Sequence, residues 1–341
     1  MKILITGGAG FIGAALGGRL LGRGDTVVAV DNMSDYYEVS LKRARLNNLS
    51  NNLSANSNFS FLKLDIADRD ALGDLFAAHQ FDAVANLAAQ AGVRYSIENP
   101  AAYIDANLVG FANVLEGCRR GKVGHLVYAS SSSVYGSNTK MPFSEHHPVD
   151  HPLSLYGATK KANELMAHSY AHLYDLPCTG LRFFTVYGPW GRPDMAFFKF
   201  TRLMLNGEKI PIFNNGNLTR DFTYIDDVVE GVVRALDTPA SADANFDHAE
   251  PTPESSTARH RIFNIGNGSQ VNLMDYIHAL EQALGIKASY QMMPMQPEDV
   301  RATHADMKRF SEHFDFKPTT NIVEGLGKFA DWYKDYYQSK D

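Results

Sequence analysis

Tyr156-Gly157-Ala158-Thr159-Lys160 sets a phenol and an ammonium four residues apart, and in a helix that spacing turns both side chains to one face. A cation beside the phenol favours the phenolate, lowering a pKa that starts near ~10, so the pair has the makings of a general base. Twenty-five residues earlier stands Ser131, within Ala129-Ser130-Ser131-Ser132-Ser133-Val134-Tyr135-Gly136, which closes an apolar run and brings hydroxyls to the same region. A lone Tyr-x-x-x-Lys also fits a helical pair packed for stability, and four serines also fit a polar loop; together they point to general-base chemistry.

A second constellation starts at Ile5. The stretch ITGGAGFIG spaces Gly7, Gly10 and Gly13 as Gly-x-x-Gly-x-x-Gly, with Phe11 and Ile12 between, directly after a predicted strand and opening a predicted helix. Glycines there let the backbone turn sharply and approach a pyrophosphate, whose charge the helix N-terminus favours. Alone, such a turn is also a plain strand-to-helix connection. Asp31, 18 residues beyond Gly13 and followed by Asn32, adds specificity, because a carboxylate at that strand end accepts from both ribose hydroxyls and repels a 2′-phosphate. The expected cofactor is NAD rather than NADP. Asp65-Ile66, ending the third predicted strand, is expected near the adenine, and Leu87-Ala88-Ala89, ending the fourth, offers small residues for close approach; a plain sheet edge has the same composition.

The elements that must hold these groups alternate. Apolar, β-rich runs at 2–6, 26–30, 59–65, 82–88, 125–130 and 178–184 read as strands buried on both faces, separated by helical stretches near 11–23, 38–49, 69–79, 99–120 and 154–174. That order predicts an α/β fold, a doubly wound parallel sheet of Rossmann type. After Phe184, Pro and Gly punctuate shorter elements, and a smaller C-terminal substrate-binding lobe is expected. The expected division is 1–184 for the dinucleotide domain, with 222–236 and 262–266 returning to it, and 185–341 mainly for the lobe. Residues 237–261, rich in Ala, Ser, Thr, Pro and acidic groups, are expected to be a surface loop without chemistry.

Composition removes several classes. Among 341 residues, Lys+Arg 32 against Asp+Glu 38 gives −6 with no basic tract, which argues against a nucleic-acid binder. Only Cys118 and Cys178 occur, with no Cys-x-x-Cys and no Cys/His cluster at ligand spacing, so neither a disulfide scaffold nor a metal site is expected. No run of about 18 apolar residues exists, so no membrane span is expected, and the chain reads as cytoplasmic.

TGGAGFIG, the serine-rich strand end and Tyr-x-x-x-Lys together resemble the extended short-chain dehydrogenase/reductase superfamily, in particular its nucleotide-sugar epimerases, over roughly 1–235 and 262–310. The resemblance implies that Tyr156 is the catalytic base and acid, that Lys160 tunes it and holds the nicotinamide ribose, and that Ser131 shares the hydrogen bond to a sugar 4-hydroxyl. Ser131-Ser132-Ser133 stands where 4,6-dehydratases carry Thr-Asp-Glu and where decarboxylases end in Glu. Elimination therefore lacks its proton donor and acceptor, and epimerisation, an isomerase reaction, is expected.

Thr185 replaces the Asn usual in hexose epimerases. Pro189-Trp190-Gly191-Arg192-Pro193-Asp194-Met195, SDYYEVSLKRARL from Ser34 and RYSIENP from Arg94 resemble segments of UDP-glucuronate 4-epimerases. The implied reaction is NAD-dependent, reversible conversion of UDP-glucuronate to UDP-galacturonate through a 4-keto intermediate, as in polysaccharide biosynthesis. The alternatives are a 4-epimerase of UDP-glucose or UDP-N-acetylglucosamine, a dehydrogenase releasing NADH, and a non-catalytic dinucleotide sensor.

Ser132, Ser133 and Thr185 are expected at the C5 carboxylate. By resemblance Arg192 and Arg220 match phosphate-binding positions, and Ile212 with Phe213 the uracil side. Gln296, three residues before Asp299, stands where galactose-type epimerases carry Arg, leaving Arg192 or Arg301 to supply that charge. Related enzymes are commonly homodimers joined through two sheet-domain helices, for which 99–120 and 154–174 are long enough.

Overall fold

The computed structural model describes residues 1–51, 58–296 and 300–338. β1 (Lys2–Thr6) runs into α1 (Phe11–Gly22), β2 (Thr26–Asp31) into α2 (Val39–Asn51), and β3 (Phe59–Lys63) into α3 (Arg69–Ala78). β4 (Ala83–Asn86) is followed by α4 (Tyr95–Glu98), α5 (Pro100–Tyr103) and α6 (Gly110–Arg120), with a wider π-helical stretch, Ile104–Val109, before α6. β5 (His125–Ser131) leads through a tight turn, Ser132–Tyr135, to α7 (Leu155–Tyr174) and β6 (Cys178–Phe183). Beyond lie β7 (Thr185–Tyr187), α8 (Ala196–Leu205), β8 (Lys209–Ile212), β9 (Thr219–Tyr224), α9 (Ile225–Asp237) and β10 (His260–Ile265). The chain continues with β11 (Gln270–Asn272), α10 (Leu273–Leu284), β12 (Ser289–Met292), α11 (Lys308–Phe314) and α12 (Ile322–Tyr333).

Seven parallel strands in the order β10-β6-β5-β4-β1-β2-β3 make the doubly wound sheet that the alternating pattern predicts. The winding reverses between β1 and β4, so the crevice for a ligand opens at the carboxyl ends of those two strands. One expectation fails at the rim: β3 is an edge strand, and its residues are half-buried or exposed rather than covered on both faces. The predicted helix at 99–120 is interrupted by the π-helical stretch.

The sheet face under α1 and α9 shares one hydrophobic cluster with the later part of the chain, from Ile3 and Ile5 to Phe329 and Tyr333. The opposite face, around Leu4, Val84, Phe111 and Tyr128, is a separate cluster. α9 packs on α1 and β5, while β9 joins β7 and β11 in one small sheet and β8 joins β12 in another. Residues 237–261 hold no strand or helix beyond the end of α9 and the start of β10. They are not all surface, however: Ala240, Glu254, Ser255, Ser256 and Ala258 are buried. Glu254 can go inside because His146 lies 2.8 Å and Arg309 3.6 Å from its Oε1.

A charge pair closed to solvent ties α7 to the sheet. Arg182 on β6 donates from Nε to Glu164 Oε1 at 2.8 Å and from Nη2 to Oε2 at 2.9 Å, and Ser130 Oγ donates to the same carboxylate at 2.6 Å. Arg182 Nη1 also donates to the Tyr135 hydroxyl at 3.1 Å, which in turn donates to Asn264 Oδ1 at 2.6 Å. Burial pushes the Glu164 carboxyl up, but the Arg182 charge and hydrogen bonds outweigh it and hold the group below its ordinary range. Arg182→Met strands a buried carboxylate and should cost about 3–5 kcal/mol in urea unfolding, whereas Glu164→Leu combined with Arg182→Met should cost clearly less.

Candidate active site

The turn after β1 presses against its neighbours so closely that side chains have no place there. Gly7 has φ 70°, and a Cβ on it would sit 2.8 Å from the Ala88 nitrogen; one on Gly13 would meet the Gly7 carbonyl at 2.1 Å. Gly10, just before α1, offers no side-chain cap, leaving the helix's first amides for an incoming anion. At the end of β2, Asp31 is buried, taking hydrogen bonds from the backbone nitrogens of Ala9 (3.2 Å) and Met33 (2.8 Å). Lys42 Nζ, also buried, lies 3.6 Å from Asp31 Oδ1 and balances it. Asp65 accepts from Asn32 Nδ2 and from the Ala67 nitrogen, both at 2.9 Å.

These groups line a cavity of about 710 Å³. Gly7, Gly10, Phe11, Ile12, Gly13, Asp31, Asn32, Asp65, Ile66, Leu87, Ala88 and Ala89 lie along one part, and Ser131, Ser132, Ser133, Tyr156, Lys160, Thr185 and Arg192 along the rest. A glycine turn that a Cβ would fill, an uncapped helix start and a buried carboxylate at the β2 end together fit a dinucleotide whose ribose hydroxyls meet Asp31. Among the described residues, no group of three or more His, Cys, Asp or Glu is placed to hold a metal ion.

Tyr156 stands in the first turn of α7, whose start is fixed by Ser154 Oγ accepting from the Gly157 nitrogen at 3.1 Å. Thr159 Oγ1 donates to the Tyr156 carbonyl at 2.9 Å and accepts from Asn107 Nδ2 at 3.0 Å, so the π-helical stretch braces the helix start. Lys160 is buried and donates to the Ala129 carbonyl at 2.9 Å.

The expected lowering of the phenol by its neighbouring ammonium is absent. Burial raises Tyr156, and the partial relief comes from the Ser131 hydrogen bond and the Arg192 charge, while Asp194 works against it. Four-residue spacing brings Lys160 to the right face, and a backbone carbonyl takes one of its three proton donors.

Other expected residues lie elsewhere. Ile212 is fully buried at the end of β8, Phe213 opens the turn that follows, and neither lines the cavity. Arg220 is not a lining residue either; its Nη1 donates to the carbonyls of Thr219 (2.9 Å) and Arg301 (3.3 Å). In each case packing within the small sheets, rather than sequence position, decides where the side chain goes. Gln296 Oε1 accepts from Arg94 Nη2, which brings it to the cavity's edge, and Asp299 lies outside the described residues.

Several lining groups escaped sequence reasoning: Tyr36, Lys42, Arg94, Asp194 and Lys199. Tyr36, Lys42, Arg94 and Asp194 stand in the segments that carry the resemblance, which named no role for them, and Lys199 had no local signal. Arg45 is nearly fully buried and donates to the carbonyls of Ala9 (3.0 Å), Trp190 (2.7 Å) and Gly191 (3.1 Å).

Desolvation pushes the Lys160 ammonium down to about 8 from 10.5. The unfolded chain keeps this proton up to about 10.5, so stability rises with pH between those values, and the full cost, about 3 kcal/mol at most, is carried below that window. Lys160→Met should therefore unfold at higher urea than the parent at pH 7, with the gap closing toward pH 10; a constant gap would sink this account.

The profile of the NAD dependent epimerase/dehydratase family matches residues 3–266. A protein named UDP-glucuronate 4-epimerase 2 of Arabidopsis thaliana is 47% identical over 99% of this chain and 77% of its own length. One named probable UDP-glucuronate 4-epimerase of Rhizobium meliloti is 46% identical over 99% of this chain and 98% of its own. Among solved structures, the UDP-glucuronic acid 4-epimerase of Bacillus cereus, in complex with UDP-glucuronic acid and NAD, superposes with a TM-score of 0.86 at 34% identity, over 99% of this chain and all of that one. With the family profile reaching from the first strand through the last strand of the central sheet, this chain belongs to the NAD dependent epimerase/dehydratase family.

Proposed function

We propose that the chain interconverts UDP-glucuronate and UDP-galacturonate. The observation that carries this reading is the hydroxyl floor of the cavity: Ser131, Ser132, Ser133 and Thr185 line it together with Tyr156, and Arg192 supplies a charge. Proteins similar over nearly the whole chain and named for this activity support it. In this reading Gly7, Gly10, Gly13 and Asp31 hold NAD, which when bound accepts a hydride from the sugar C4 and returns it. Tyr156, which lines the cavity with Ser131, takes the 4-hydroxyl proton and later gives it back. Ser132, Ser133 and Thr185 hold the C5 carboxylate by neutral hydrogen bonds, and Arg192 meets the diphosphate.

The carboxylate needs that hold. Oxidation at C4 makes a β-keto acid, which loses CO₂ when the carboxylate bond stands perpendicular to the carbonyl plane. Hydroxyls that keep the carboxylate out of that alignment protect the intermediate.

A homodimer is part of the proposal. Ile97, Ile104 and Val109 on the α4 to π-helical segment, and Leu165 and Leu173 on α7, are exposed apolar residues on the two helical regions expected to pair. Both cysteines are free and buried, which suits a reducing compartment, and the cytoplasm is the proposed location.

Purified protein given UDP-glucuronate should yield UDP-galacturonate, and UDP-glucose should not be turned over. Thr185→Val should raise the share of decarboxylated pentose product, read by chromatography of the nucleotide sugars; an unchanged ratio with slower turnover counts against the carboxylate hold. Separately, Leu165→Glu combined with Leu173→Glu should halve the mass measured by light scattering. A parent already monomeric by that measurement removes the dimer from the proposal.

A further inference from the structure

Arg192 does not face the cavity alone. Its Nε lies 3.0 Å from Asp194 Oδ1 and its Nη2 2.5 Å from Oδ2, a two-pronged pair in which each side chain is about one-fifth exposed. Both residues line the cavity with Tyr156. The Tyr36 hydroxyl, also on the cavity lining, donates to Asp194 Oδ2 at 3.4 Å, and the Tyr36 ring packs 4.8 Å from that of Tyr95. The segment bearing the pair is itself fixed: Arg45 holds the carbonyls of Trp190 and Gly191, and Trp190 adopts φ 62°. Asp194 is thus a built-in partner of the guanidinium rather than a loose acid at the rim.

Two consequences follow from that geometry. A fork-to-fork pair fixes the guanidinium plane and occupies two of its five N–H donors, so Arg192 meets an anion in one orientation. It also sets a negative charge beside the positive one in the cavity that the Tyr156 phenol lines. The groups facing Tyr156 are Lys160 on its own helix, Ser131 at the end of β5, Tyr103 on α5 with its ring 6.0 Å away, and the Arg192–Asp194 pair. Of these, Lys160 is engaged by the Ala129 carbonyl. A base that must also return its proton loses efficiency if it is made too acidic, and an unpartnered guanidinium would do that.

Resting on the epimerase reading, we propose that Asp194 is a positioning residue. It locks the orientation of Arg192 toward the substrate's anionic groups and offsets the guanidinium charge, so that Tyr156 can serve as base and acid in a single cycle.

The test uses NAD-loaded protein and two readouts. In Asp194→Asn the acid limb of the kcat profile for UDP-glucuronate should move to lower pH by about one unit. The tyrosinate ultraviolet absorbance that vanishes in Tyr156→Phe should shift its titration midpoint the same way. Arg192→Met should move that midpoint upward, the double variant should return it toward the parent, and Asp194→Glu should leave it in place. Unchanged midpoints in Asp194→Asn and Arg192→Met overturn the proposal. If Asp194→Asn does not fold, Arg192→Met decides alone: a rise supports the proposal and no change overturns it. A parent that does not turn over UDP-glucuronate defeats the substrate reading, and the absorbance titration still judges Asp194.

Discussion

Two opposite charges removed from water, Arg182 and Glu164, fasten the helix that carries Tyr156 and Lys160 to the strand beside it. Such a pair is tolerated only when its geometry is near ideal and its remaining donors and acceptors are met, so it admits one register of helix on sheet. Its neighbours extend that constraint outward. Ser130 precedes Ser131, Tyr135 ends the turn that contains Ser132 and Ser133, and Asn264 belongs to the edge strand. One network therefore touches each strand end that delivers a proton-handling or hydroxyl group, and small errors there would spread through the site.

Groups that sit in consecutive residues at strand ends were legible from the chain alone. The glycine turn, Asp31, the serines, Tyr156 and Lys160 each combine local chemistry with a clear place in the strand-helix alternation. The contact of Tyr36 with Asp194 was not, because it arises where 34–45 crosses 188–195, and no period in the sequence records a contact between segments about 150 residues apart. Ile212 and Arg220 pose a different question. Resemblance gave positions, while burial in one case and carbonyl partners in the other set the direction of the side chain. The sheet edge misled for a similar reason: β3 has the composition of a central strand, and only topology leaves it uncovered.

The protein carries its site at some expense to its own stability. A lysine ammonium held within the fold on one carbonyl works against folding at neutral pH, and burial raises the Tyr156 phenol proposed as the base. Neither would be selected for packing. The buried pair beneath α7 and the continuous apolar cluster running from the sheet into the later elements supply the rigidity that offsets them.

Arg45 bears on how this architecture can change. Its guanidinium holds a carbonyl of the glycine turn and two carbonyls near Arg192, so a single side chain gauges the gap between that turn and the 188–195 segment. Grafting the later half of a homologue onto this amino-terminal half would leave those donors without their acceptors unless the incoming segment copied the same backbone path. The border between the halves is therefore a poor place for recombination, and new sugar preferences are more readily reached by exchanging side chains within the cavity than by trading whole modules.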